Sequence, residues 1–270
     1  MTANELILPA FEFSQGRVPM LVSMPHSGLA LTPEVQAGLT DQAAKLPDTD
    51  WYIPELYDFL PTLGVGMIKA NYSRYVIDLN RPYDDKPLYN TKTTGLFPDI
   101  LFEDSPIFKT GQMPSDAHKT FCKEHIWRPY HEAIASELAR MKAEFGYAIL
   151  FDAHSIAAQV PMLFEGTLPN FNWGTNNGDA CHGALTQAVS DVIAPEYSQV
   201  TNGRFKGGYI TRYFGQPNQG IHGIQLELSQ ATYLDDDLAK QSIYQLDKDK
   251  LPNIKQQLQK VIEACLRTSL

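Results

Sequence analysis

Cysteine is scarce in this sequence, and the few cysteines form no recognisable pair. Cys122, Cys181 and Cys265 are an odd set without a CxxC spacing. An odd set of this kind does not indicate a disulfide framework, and it is typical of a protein kept in a reducing compartment. We therefore expect the three thiols to be packing residues of a cytoplasmic protein.

Long apolar runs and an excess of basic residues are also missing. No run approaches the roughly 18 apolar residues needed to span a bilayer, and residues 1–13 lack the basic start of a secretory signal. The 270 residues include 31 acidic and 22 basic side chains, giving a net charge of −9. This charge argues against a nucleic-acid partner, because neutralising phosphates needs a basic face. Any anionic substrate would require specific arginines.

Short apolar runs alternate with longer helix-like segments along the chain. Strands are predicted at 18–24, 65–70, 74–79, 147–153 and 224–229. Helices are predicted at 51–60, 128–145, 179–194 and 236–267. This alternation predicts one α/β domain over residues 1–270, with a central mixed, largely parallel sheet between helices.

Two histidines each follow a predicted strand. His26 belongs to a Pro-His-Ser-Gly sequence, and His154 follows the strand at 147–153. In α/β folds ligands gather beyond the carboxyl ends of the strands, and a catalytic zinc ion typically has three protein ligands. Asp48 and Asp50 are candidates for the third ligand, although an aspartate at a helix start is often only an N-cap.

The remaining polar residues near these positions have ordinary alternatives. Asp152 is either a strand-end residue or a partner that orients an imidazole ring. The other histidines lie in polar or helical sequence, which favours a solvated or structural role. They are His118, His125, His131, His182 and His222.

Glu227 lies between two leucines in a strand whose residues alternate in polarity. A carboxylate in such a run is costly to bury unless it is used. Glu227 is therefore either a solvent-facing residue or a general base with a raised pKa.

Three arginines are candidates for binding an anion. Arg74 and Arg81 stand at the two ends of an apolar run, and Arg212 follows a pair of glycines. Guanidinium groups bind carboxylates with two hydrogen bonds and keep their charge. Alternatively, Arg74 or Arg81 pairs with Asp78 or Asp84 at the surface.

Short motifs along most of the chain resemble those of the N-formylglutamate amidohydrolase family, in one order. The motifs are PHSG (25–28), DTDW (48–51), SRYVIDLNRP (73–82), LYNTKTTGLFP (88–98), WRPYH (127–131), DAHS (152–155), LFEG (163–166), GRFKGGYITRYFG (203–215) and QLELSQ (225–230). The resemblance implies a three-layer, phosphorylase/hydrolase-like fold. It also implies a zinc enzyme, with one ion per chain, that hydrolyses N-formyl-L-glutamate to L-glutamate and formate in histidine degradation.

The resemblance also implies roles for the site residues. His26 and His154 become the two imidazole ligands. Leu29 stands where the distantly similar zinc carboxypeptidases and aspartoacylases keep a glutamate ligand. An aspartate is the natural replacement, with Asp50 favoured and Asp48 as the alternative.

The same resemblance assigns the groups that act on the substrate. Glu227 becomes the general base, and Arg74 stabilises the oxyanion. Arg81, with Asn80, is expected to bind the α-carboxylate of the substrate, and Arg212 its γ-carboxylate. The sequence does not predict the oligomeric state.

Other functions have less support in the sequence. The sequence has no GxSxG motif, which argues against a serine or cysteine hydrolase. It has neither GxGxxG nor a P-loop, which argues against a nucleotide-binding enzyme. Two alternatives stay open. One is the same zinc chemistry on another N-acyl acidic amino acid, and the other is a non-catalytic protein that binds a metal or an amino acid.

Overall fold

The strands form one mixed, largely parallel sheet. This computed structural model describes residues 6–88 and 93–270. Its strands are β1 (Phe11–Ser14), β2 (Met20–Met24), β3 (Gly66–Ala70), β4 (Ala148–Ile156), β5 (Phe171–Gly174), β6 (Gln199–Thr201) and β7 (Ile221–Ser229). Their order across the sheet is β1-β3-β2-β4-β7-β5-β6. β1 is antiparallel to β3 and β5 is antiparallel to β7, while the other neighbours are parallel.

The helices differ widely in length. They are α1 (Pro33–Gly38), α2 (Ile53–Leu56), α3 (Asp116–Cys122), α4 (Arg128–Phe145), α5 (Gly183–Asp191), α6 (Tyr209–Phe214), α7 (Asp236–Ala239) and α8 (Leu251–Arg267). A π-helical turn, Lys123–Trp127, joins α3 to α4. None of the helices in the described ranges is long and apolar enough to cross a membrane.

Helices cover both faces of the sheet. Alternate residues of a strand point to opposite faces, so Leu21 packs with the α4 side while Met20 packs with the α8 side. The apolar stripe of α4 is buried against the first face, and α5 and α8 cover the second. The predicted three-layer α/β fold is confirmed.

The helix prediction at 128–145 is confirmed, with Gly146 ending α4 at a left-handed φ of 87°. The three other predicted helices are shorter or interrupted. The segment 51–60 contains the short α2 and the start of a 3₁₀ turn at Leu60, and 179–194 contains α5. The segment 236–267 is divided between α7 and α8. Helix propensity extends through these segments, but packing of a buried apolar face stabilises the helix in only part of each one.

The predicted strand at 74–79 is wrong, because the segment folds as turns. Its own polar side chains form this conformation. Arg74 bonds to Asp78 four residues later, and the Asp78 carboxylate accepts the backbone N–H of Asn80. These local bonds compete with strand pairing. The apolar residues between them are nevertheless buried in the core.

The other predicted strands correspond to β2, β3, β4 and β7. Sequence reasoning missed β1, β5 and β6, which have only 4, 4 and 3 residues. The motif at 88–98 lies partly outside the described residues, because 89–92 are not among them.

Candidate active site

The site lies at the carboxyl ends of the central strands. β4 and β7 run parallel in a register that sets His154 beside Glu227 and Asp152 beside Gln225. Residues two apart on a strand share a face, so these four side chains project from one patch of the sheet. β2 ends two residues before His26 on the other side of β4.

The loop after β2 is held close to its neighbours. A Cβ at Gly28 would lie 2.3 Å from the backbone oxygen of Tyr72, so only glycine fits this approach. The backbone N–H of Asp50 donates to the His26 carbonyl oxygen at 3.1 Å. This bond places the aspartate beside the histidine.

His26, Asp50 and His154 form a buried group that could hold a metal ion. One ligand atom from each lies within 4.8 Å of the others. Asp50 Oδ2 is 3.1 Å from His154 Nδ1 and 3.8 Å from His26 Nδ1. All three side chains are almost inaccessible to solvent.

Two further carboxylates contact the other nitrogen of each imidazole ring. Asp78 Oδ1 is 2.7 Å from His26 Nε2, and Asp152 Oδ2 is 3.1 Å from His154 Nε2. A carboxylate in this position accepts a hydrogen bond from the Nε2–H and leaves the Nδ1 lone pair for a metal. Both Nδ1 atoms face Asp50, so Asp78 and Asp152 favour the tautomers that a metal site needs.

The two imidazoles differ in their electrostatic surroundings. Burial and the Arg74 charge lower the pKa of His26 below its usual value, despite Asp78. Burial also opposes charge on His154, but Asp152 and Asp50 outweigh it and raise the pKa of His154 well above the usual value. A cation at the Asp50 side would take the place of that proton.

The residues present fit zinc. Two imidazoles and one carboxylate are a donor set found in catalytic zinc sites, and bonds of about 2.1 Å in a tetrahedron separate ligand atoms by roughly 3.4 Å. The distances from Asp50 to the two Nδ1 atoms, 3.1 and 3.8 Å, lie on either side of this value.

The other candidate carboxylate, Asp48, is not part of this group. Asp48 accepts the backbone N–H of Phe102 at 3.2 Å, and its own N–H donates to the Tyr75 hydroxyl. Leu29 is 49% exposed. The structure therefore brings Asp50, rather than Asp48, to the two histidines.

Glu227 is buried beside the candidate ligands. It lines the same cavity as His26 and His154, and Gln225 Nε2 donates to its Oε2 at 3.3 Å. Burial raises the pKa of Glu227 to about 8, although the nearby His154 opposes the shift. A bound cation would favour the ionised carboxylate, the form that a general base requires.

Arg74 lies on the cavity wall with the candidate ligands His26 and His154. Its Nη2 donates to Asp78 Oδ2 at 2.6 Å, and its guanidinium carbon is 4.9 Å from the centre of the Phe102 ring. Burial opposes its charge, but Asp78, Asp50 and Asp48 raise the pKa of Arg74. The guanidinium is thus a fixed positive charge in a buried cavity.

Asn80 and Arg81 line the same cavity, but the protein engages much of their bonding capacity. Asn80 Oδ1 accepts the Ile210 N–H, and its Nδ2 lies 3.1 Å from His154 Nε2, the nitrogen that also faces Asp152. Arg81 donates to the carbonyl oxygens of Thr94 and Asn80 and to the hydroxyl of Thr93.

The structure brings Arg204, rather than Arg212, to the cavity. Arg204 is among the lining residues, and its Nε donates to the carbonyl of Leu163. Arg212 is not among them, and its Nε donates to the Gly207 carbonyl at 2.7 Å. Sequence reasoning missed Arg204, although it belongs to the quoted motif at 203–215.

The remaining histidines have partners elsewhere, which agrees with a structural role. His118 bonds to Thr32, His131 donates to the Trp127 carbonyl, and His222 accepts the His182 N–H. His125 and His182 are exposed. The three cysteines are buried and free, as expected for packing residues.

The fold and the site together define the class of protein. A buried histidine–aspartate group that could hold a metal, with a buried glutamate and arginine on one cavity, is typical of metal-dependent hydrolases. The N-formylglutamate amidohydrolase family model matches residues 18–234, and the chain belongs to this family. The resemblance predicted from the motifs is confirmed.

Individual relatives agree with this assignment. A protein from Pseudomonas aeruginosa named N-formylglutamate deformylase is 57% identical over 226 residues, which cover 83% of this chain and 85% of the relative. A protein of the same name from Pseudomonas putida is 54% identical over the same shares of both chains.

Solved structures are similar in fold at low sequence identity. The N-formylglutamate amidohydrolase from Ralstonia eutropha has a TM-score of 0.81 at 19% identity, covering 95% of this chain and 97% of that one. A gene product from Agrobacterium tumefaciens has a TM-score of 0.72 at 14% identity, covering 95% and 94%. These likenesses support the α/β fold.

Proposed function

We propose that this protein hydrolyses N-formyl-L-glutamate to L-glutamate and formate, a step of histidine degradation. The observation that carries the proposal is one cavity lined by His26, His154, Glu227 and Arg74, with Asp50 completing a metal-binding group. The names of the Pseudomonas relatives support this substrate.

His26, Asp50 and His154 would hold one zinc ion per chain. The chemistry that zinc supplies when bound is polarisation of the formyl oxygen and a lower pKa for a water molecule. Asp78 and Asp152 orient the two imidazoles for this task through their Nε2 atoms.

Glu227 would act as the proton carrier. As a general base, its carboxylate takes a proton from the attacking water and then gives it to the leaving amine nitrogen. The β4–β7 register supports this role, because it sets Glu227 beside the ligand His154.

Arg74 would stabilise the negative charge that develops on the formyl oxygen. A well-placed donor of this kind contributes roughly 3 kcal/mol to the transition state. Its bond to Asp78 holds the guanidinium in place before the substrate arrives, so no reorganisation is needed during the reaction.

The substrate carries two carboxylates, and the cavity offers two further arginines. Arg81, together with Asn80, would bind the α-carboxylate. Because Arg204 lines the cavity and Arg212 does not, we assign the γ-carboxylate to Arg204.

A pair of arginine variants checks this assignment. We expect Arg204→Met to raise the KM for N-formyl-L-glutamate by roughly 10–100-fold, because a charge-assisted carboxylate contact is lost. Arg212→Met is the matched control and should change the KM only slightly. Steady-state kinetics of both variants gives the answer, and the opposite result would return the role to Arg212.

The reaction itself is tested by measuring formate release from N-formyl-L-glutamate. Release should stop when a chelator removes the metal and return when zinc is added. N-Formyl-L-leucine, which has an uncharged side chain, is the control, and it should be a poor substrate because it lacks the second carboxylate. Substrate binding without formate release would instead indicate a non-catalytic binding protein, and faster release of another acyl group would indicate a different N-acyl acidic amino acid.

We also propose a cytoplasmic protein without a nucleic-acid or membrane partner. The excess of acidic residues and the three buried, free cysteines support this setting.

A further inference from the structure

Two cavities meet beside the candidate metal ligands. The smaller has a volume of about 70 Å³ and contains the reacting groups. The larger has a volume of about 550 Å³ and begins at Thr49 and Ser155, which are chain neighbours of the ligands Asp50 and His154. Phe102, Ser155 and Ile156 line both cavities and therefore form the wall between them.

The two cavities differ in charge. The smaller is lined by the three arginines assigned above to the oxyanion and the carboxylates. The charged residues that line the larger cavity are Asp48, Glu103, Asp236 and Lys240. Acidic groups repel a dianion, so the glutamate end of a substrate belongs on the arginine side. Only the acyl end can extend toward the larger cavity.

The lining of the larger cavity suits an apolar chain. Its apolar lining includes Ile156, Val160, Pro161, Ala231 and Leu234. Ligand sites typically combine such a lining with a volume of about 300–1,000 Å³. The smaller cavity is much the more confined of the two, so a longer acyl chain can gain space only toward the larger cavity.

Phe102 is the part of the shared wall that a substitution can remove. Ser155 is bonded to the Tyr233 hydroxyl, and Ile156 ends β4. Phe102 lies on a loop, where its N–H is held by the Asp48 carboxylate and its ring packs against Arg74. These contacts hold the aromatic ring between the two cavities.

We propose that the larger cavity is an acyl-chain site that Phe102 closes off from the reacting groups. The ring then limits the acyl group to formyl, and its removal admits N-alkanoyl-L-glutamates. This inference rests on the proposed function, because it takes the glutamate end of the substrate to lie among the arginines.

The test compares kcat/KM for N-butanoyl-L-glutamate and N-hexanoyl-L-glutamate with that for N-formyl-L-glutamate. Phe102→Ala should raise the ratio of alkanoyl to formyl hydrolysis by at least roughly tenfold, since pocket contacts with a few methylenes discriminate by this much or more. Use of the ratio removes any general loss that follows from disturbing Arg74.

Two matched phenylalanine variants serve as controls. Phe164 packs in the same small apolar cluster as Phe102 but lines neither cavity, and Phe205 lines only the smaller one. Neither Phe164→Ala nor Phe205→Ala should raise the ratio. Adding Ala231→Phe to Phe102→Ala should remove the gain, because Ala231 lines the larger cavity.

The outcomes separate this inference from the proposed function. Wild-type protein that fails to hydrolyse N-formyl-L-glutamate overturns both. Wild-type turnover with an unchanged ratio in Phe102→Ala overturns the acyl-chain site alone, as does an equal gain in Phe205→Ala or a gain that survives Ala231→Phe. If Phe102→Ala is inactive, Phe102→Leu keeps an apolar side chain beside Arg74. It should give a smaller rise, and no rise overturns the inference.

Discussion

Replacing Glu227 with glutamine should lower the turnover number by roughly 10²–10⁴-fold, the usual contribution of a general base. Glutamine has nearly the same shape and can keep the contact with Gln225, but it cannot accept the proton of the attacking water. Because Glu227 is not one of the three candidate ligands, the variant should retain its zinc. Formate release and elemental analysis of the same preparation measure both quantities.

A buried glutamate outside the site provides the control for this change. Glu137 lies on α4 and pairs with Arg140 and the Gly16 N–H. Glu137→Gln should lower stability without a comparable loss of turnover. If Glu227→Gln keeps turnover within a few-fold of the wild type, the base must be another group.

Replacing His26 with alanine should remove both the metal and the activity. The buried group would keep only Asp50 and His154, and two protein ligands do not make the three that a catalytic zinc ion typically needs. We expect the zinc content to fall from about one ion per chain to near zero. Elemental analysis after dialysis measures this directly.

A second histidine variant controls for the loss of a buried ring. His222→Ala removes an imidazole that bonds to the His182 backbone and lies outside the ligand group. It should keep the zinc and most of the activity. A wild-type protein that is active with no metal would be incompatible with the proposed chemistry.

Part of the site could be predicted from the sequence because it depends on local position. His26 and His154 follow apolar strands, and strand ends converge in an α/β fold. Glu227 stands in an alternating strand, and its burial follows once β7 is placed next to β4. The sequence alone does not give that order of strands, which is why a solvent-facing Glu227 stayed possible.

Two other features of the site, the third metal ligand and the arginine that reaches the cavity, depend on loop conformation. Asp48 and Asp50 are two residues apart, and tertiary contacts distinguish them, because Asp50 bonds to the His26 carbonyl while Asp48 bonds to Phe102. Likewise Arg204 and Arg212 belong to one motif, and which of them reaches the cavity depends on tertiary packing. Spacing in the sequence carries no information on either point.

The fold was predictable where periodicity was strong and elements were long. The apolar stripe of α4 and the runs of β4 and β7 are examples. The segment 74–79 misled because its apolar residues are buried, as in a strand, while Arg74 and Asp78 bond to each other across a turn. A buried turn segment and a buried strand therefore give the same run of apolar residues in the sequence.

Asp78 joins two parts of the site that act at different stages. One oxygen contacts the His26 ring and the Asn80 N–H, while the other accepts the Arg74 guanidinium. Whatever tightens the hold of His26 on a metal therefore also changes the field at the oxyanion position. By linkage, metal and substrate should each change the binding of the other to the same degree. A substitution at position 26, 74 or 78 should therefore affect both metal binding and the stabilisation of the oxyanion.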